Sequence, residues 1–170
     1  MRIDGSQGNF ENLRGIGASN PYNWSPSMFK TELTAYKVTL TDYKDGKNTD
    51  PTAVQSGAPL LIFEAMNLTV GGSFFNDHFP AFSKAYGTYL EHIRPHNPYA
   101  HGTVYPLAGP ADALRSIFSS VEGSLNSTAS TQIDSMIGVI SNCVSGNTIN
   151  IDDLMTLSND LESSESNFPG

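Results

Sequence analysis

The sequence predicts an α+β fold: an extended N-terminal arm, a small β region over about residues 29–75, and a mainly helical C-terminal half with four amphipathic helices. Three observations carry that expectation. Residues 1–28 hold Gly5, Gly8, Gly15, Gly17 and Pro21 and keep no apolar period. Tyr36, Val38 and Leu40 alternate with Lys37, Thr39 and Thr41, the period of a half-buried strand. From residue 76 onward apolar positions recur three and four apart, the period of a helix packed on one side.

The arm is too apolar for a purely solvated tail, because Phe10, Leu13, Ile16, Tyr22 and Trp24 punctuate it. Such a segment gains order by docking, so these five residues are the candidate partner-binding set. The best strand is expected over 31–43. Asp42 to Pro51 is polar and rich in turn residues, which predicts the start of a long loop. Residues 59–70 open on the apolar run Pro59-Leu60-Leu61-Ile62-Phe63, which suits a strand buried on both faces or a helix.

Helices are expected over 76–94, 110–123, 128–145 and 150–163. Their stripes run through Phe79, Phe82, Tyr86, Tyr89, Leu90 and Ile93; Leu114, Ile117, Phe118 and Val121; Ile133, Met136, Ile137, Ile140 and Val144; and Ile151, Leu154, Leu157 and Leu161. Asn76 or Asp77, Ser127 or Thr128, and Asn150 are the expected N-caps, and Gly123 and Gly146 the expected left-handed residues after helices. The core is expected to centre on Phe82, Tyr86, Leu90, Leu114, Phe118, Ile133, Ile137, Ile140 and Leu154. A single domain over 29–163 and a frayed tail over 164–170 complete the organisation.

The 170 residues carry nine Lys and Arg against 17 Asp and Glu, a formal charge of −8. Neutralising a phosphate backbone requires clustered positive charge, so direct nucleic-acid binding is not expected. No apolar stretch approaches the ~20 residues needed to span a bilayer, and the N-terminus lacks the apolar segment of a signal peptide, which predicts a soluble chain without a membrane span. The one cysteine, Cys143, cannot form an internal disulfide and lies beside a helical stripe, where thiols are usually inert.

Chemistry-bearing residues cluster once. His78, His92, His96 and His101 fall within 24 positions. His92, His96 and His101, with Glu91 as an oxygen donor, are the candidate metal ligands, although Pro95 interrupts the helix that would align His92 with His96. Phe74-Phe75-Asn76-Asp77-His78-Phe79-Pro80 resembles the catalytic stretch of hotdog-fold hydroxyacyl-thioester dehydratases, in which a His precedes Phe-Pro. That resemblance implies His78 as the base that takes a proton beside a thioester carbonyl. Ala81 stands where that family has Gly, and no second Pro-Gly follows. No nucleophile elbow, phosphate loop or calcium loop is present, and Asp152 and Asp153 fit the dipole at a helix start. No cofactor is expected.

Two function classes remain. The first is a structural or assembly subunit of a larger particle, such as a virion, phage tail or secretion apparatus, acting on copies of itself or other protein subunits. The alternative is a small enzyme or a metal- or ligand-binding module that uses the His78–His101 region.

Overall fold

The computed structural model describes residues 25–94 and 103–169. Of these, 79% are helical, in six α-helices and two short 3-10 turns with one two-stranded ribbon, so the fold is mainly helical and not α+β.

The expected strand over 31–43 is instead the middle of α1 (Pro26–Lys44). The alternation at Tyr36, Val38 and Leu40 is local, whereas Phe29, Leu33, Tyr36 and Leu40 step four, three and four and are the apolar residues that become buried. Val38, which the strand reading would bury, is 56% exposed. The β-like look of the segment comes from threonines. Their β-branched side chains disfavour a helix slightly, and here Thr31, Thr34, Thr39 and Thr41 donate to the carbonyls one turn back at 2.8 to 3.1 Å. At the start, Ser25 Oγ accepts from the Met28 amide at 3.1 Å and Pro26 opens the first turn. The helix therefore takes in residues 26–28, which were expected to belong to the arm. Phe10, Leu13, Ile16, Tyr22 and Trp24 lie outside the described residues.

Residues 59–70 are also not a strand. They belong to α2 (Thr52–Val70), whose positions 54–67 are all buried. A helix apolar on every side has to be surrounded. α2 touches each of the other five helices, which follow one another around it in the order α1, α6, α5, α4, α3. Its early start, where Asp50 accepts from the Thr52 amide and hydroxyl, shortens the expected long loop to residues 45–51. Pro59 inside α2 has no N–H for the Gln55 carbonyl. Two tyrosines bond the carbonyls on either side: Tyr36 donates to Val54 at 2.7 Å and Tyr86 to Ser56 at 2.9 Å.

Gly71 and Gly72, both left-handed (φ +70° and +58°), turn the chain directly from α2 into α3 (Phe74–Ile93). Phe82 of α3 stacks on Phe63 of α2, ring centroids 4.5 Å apart. α4 (Ala108–Val121), α5 (Ser127–Asn142) and α6 (Ile151–Ser163) present the expected stripes except at Val144, which lies in a strand beyond α5, and every residue of the expected core is buried. Helix ends differ by a few residues: Asn126 caps α5 by accepting from Ala129, and Asn150 caps α6 as expected. α5 stops at Asn142 because β1 (Val144–Ser145) and β2 (Thr148–Ile149) form an antiparallel hairpin, with Gly146 left-handed in its turn. Lys37 and Lys44, seven apart on α1, pair with Glu162 and Asp152 of α6 at 2.7 and 2.8 Å. The tail expected to fray forms a 3-10 turn over Ser164–Asn167, and Phe168 meets Phe29 edge-on at 5.2 Å. Among the described residues no helix is long and apolar enough to cross a membrane.

Candidate functional site

The wall between α3 and α4 is organised by one buried side chain of α2. Gln55 is fully buried, and an amide in that position has to satisfy both a donor and an acceptor. Its Nε2 donates to the Thr103 carbonyl at 2.6 Å. Its Oε1 accepts from the Tyr89 hydroxyl at 2.7 Å and from the Tyr105 amide at 3.0 Å. Three bonds from one residue thus hold the segment leading into α4 against α3. Burial pushes the Tyr89 phenol well above its ordinary range, so the hydroxyl stays a donor at physiological pH.

Held in this way, the Tyr105 ring lies parallel to the imidazole of His92, centroids 4.2 Å apart and planes 5° from parallel. Beside that stack is a pocket of about 390 Å³, with Thr88, Tyr89, Pro106 and Pro110 among its walls. Tyr105 is one of two large apolar side chains left exposed among the described residues, the other being Val38. Pockets of roughly 300–1,000 Å³ lined by apolar and aromatic groups with a few polar ones are the ordinary form of small-molecule sites.

The structure separates His78 from His92, the two of the grouped histidines that it describes. His78 stands in the first two turns of α3 with its ring 4.9 Å from Phe74. His92 is near the other end of the same helix, in the stack with Tyr105. His96 and His101 lie outside the described residues. Among those described, no group of three or more His, Cys, Asp or Glu could hold a metal ion. The stretch resembling the hotdog dehydratases is the start of a helix, and the sheet among the described residues has only two strands, so the resemblance stops at those residues. Cys143 is buried, its Sγ 3.7 Å from the Ile140 carbonyl, and burial pushes the thiol up to about 11, which leaves it protonated and unreactive at neutral pH.

A second polar feature lies further along α2. Glu64 is fully buried and Glu32 of α1 is 6% exposed. None of their four carboxyl oxygens has a hydrogen-bond partner, and each carboxyl is the other's electrostatic neighbour. Burial raises the pKa of both groups. For Glu64 the side-chain interaction and charge of Glu32 add to the rise, and for Glu32 the interaction with Glu64 offsets part of it.

Sequence reasoning missed Gln55, Tyr89 with Tyr105, and the Glu32–Glu64 pair. Glu64 carried a usable signal as the single ionisable residue between Thr52 and Val70. Gln55 carried none, because its partners are 34 to 50 residues away. No family model matches the chain, and comparison with curated proteins and with solved structures finds no match.

Proposed function

We propose that the helical body is a ligand-binding module whose site is the pocket beside His92 and Tyr105. The observation supporting this is that the pocket wall is built before any ligand arrives: Gln55 fixes the backbone of Tyr105, and Tyr105 fixes the exposed stack. A preformed site costs little ordering on binding. Its lining selects a small, largely apolar molecule with a planar ring, and the net charge of −8 disfavours an anion. The test is titration of the full chain with indole, followed by NMR of the tyrosine and histidine rings. Saturable shifts at Tyr89, His92 and Tyr105, lost in Tyr105→Ala, are expected. That variant removes the ring and keeps the amide that Gln55 accepts. Shifts confined to other residues, or unaltered by Tyr105→Ala, would overturn the reading.

A second reading is an assembly subunit of a larger particle, acting through residues 1–24. It is supported by the apolar set Phe10, Leu13, Ile16, Tyr22 and Trp24, and by a body in which only Val38 and Tyr105 remain as exposed large apolar side chains among those described. Apolar contact with other subunits would then depend on residues outside the helices. Deleting residues 1–24 leaves the Ser25 cap of α1 in place and is expected to lower the native mass in light scattering without loss of helical circular dichroism. An unchanged native mass would remove this reading.

A further inference from the structure

Glu64 sits within the buried stretch of α2, and Glu32, also buried, lies on α1, which packs against α2. Two carboxylates can only accept hydrogen bonds, so a bond between them requires that one carry a proton. The alternative, two unpaired negative charges side by side in an apolar interior, is prohibitive. A metal ion would not replace the proton. Calcium and magnesium take about six or more oxygen ligands and zinc prefers nitrogen and sulfur, whereas no third acidic, His or Cys ligand joins the pair among the described residues.

Several charged groups of the neighbouring helices are engaged elsewhere. α2 has no other ionisable residue. From α3, the Tyr86 phenol feels the charges of both Arg94 and Glu64, and its hydroxyl donates to the Ser56 carbonyl. From α6, Glu162 and Asp152 are exposed and paired with Lys37 and Lys44 of α1, and Asp160 is half-buried. Glu165 follows α6 and is half-buried, Lys30 of α1 is exposed, and on α4 and α5 Arg115 pairs with Asp134.

We propose that Glu32 and Glu64 form a proton-binding site that latches α1 onto α2, with one proton held between the two carboxyls in the folded protein. The raised pKa values of both groups agree with that geometry. In acid the folded and unfolded chains are both protonated and the pair contributes no pH dependence. As pH rises through the ordinary carboxylate range, the unfolded chain releases protons that the folded chain retains, so stability falls with rising pH until the folded pair itself ionises. The protein is therefore held together more firmly in mild acid than at neutral pH, opposite to a protein whose carboxylates are salt-bridged. α1 is the element loosened, since it contributes Glu32 to the contact. The latch and the pocket depend on different residues, and either could hold without the other.

The decisive experiment is a pair of titrations on the full chain between pH 4 and 8. In the first, the side-chain carboxyl ¹³C signals are followed by NMR; Glu64 should titrate above the other Glu residues. In the second, the melting temperature should fall by about 3 °C per pH unit over the range where one proton is retained. Glu64→Gln keeps the shape and is neutral at every pH, and it should flatten that slope. If Glu64→Gln does not fold, Glu32→Gln and the wild-type carboxyl titration serve instead. A Glu64 midpoint in the ordinary range, or an equal slope in the variant, would overturn the proposal. So would magnesium, calcium or zinc raising the wild-type melting temperature but not that of Glu64→Gln.

Discussion

Gln55 and Glu64 occupy the same helix nine residues apart, both fully buried, and their side chains differ only in an amide for a carboxyl. Gln55 has a partner for its donor and two for its acceptor. Glu64 has only another carboxyl. A buried polar group is structural when its surroundings complete it and responsive when they leave one valence open, and here the open valence is filled by a proton. The difference follows from what packs on each end of α2. The Gln55 end meets the segment Thr103 to Tyr105, whose free backbone groups suit an amide. The Glu64 end meets side chains of another helix whose backbone groups are already used within it.

Exchanging the two chemistries gives the largest expected effect. Gln55→Glu removes the donor to Thr103 and turns a carboxyl oxygen toward that carbonyl in the interior, with no cation to balance the charge, and it should destabilise by ~3–5 kcal/mol at pH 7 in urea unfolding. The reverse exchange, Glu64→Gln, should be neutral or stabilising at the same pH. A clear loss there would mean the pair is satisfied in a way that only carboxyls can supply. Ile137→Ala provides an apolar scale for the comparison: Ile137 is fully buried on α5, and its truncation should cost ~2–5 kcal/mol.

Smaller changes sharpen the contrast. Tyr36→Phe deletes the hydroxyl that bonds Val54 beside Gln55 and should cost about 1 kcal/mol with no change in pH dependence. A change in pH dependence would tie the tyrosine network to the acid pair. Lys37→Ala breaks the surface pair with Glu162, whose carboxyl Lys37 holds below its ordinary range. Exposed pairs of this kind contribute little, so the melt should shift within experimental error. A larger shift would show that α1 depends on α6 as much as on α2.

The C-terminal helices were legible because each carries its own signal: Leu114, Ile117, Phe118 and Val121 repeat at helical spacing, and Asn150 caps α6 where a cap was expected. The N-terminal half was misread where local and longer patterns disagree. Tyr36, Val38 and Leu40 alternate over a few residues, whereas Phe29, Leu33, Tyr36 and Leu40 decide the structure over a longer window. The apolar run from Pro59 to Phe63 suited a buried strand as well as a helix, and the tyrosine hydroxyls that bond the Val54 and Ser56 carbonyls, on either side of the Gln55 carbonyl that Pro59 leaves without its N–H, come from other helices.

The sequence by itself determined the amphipathic helices, the residues of their core and the acidic surface, because periodicity and charge are properties of neighbouring positions. Only the tertiary structure decided that the apolar run is a central helix, that Gln55 serves as a staple, and that Glu32 meets Glu64. Those outcomes join residues tens of positions apart, and the free energy of a buried polar group depends on the partner the fold brings to it.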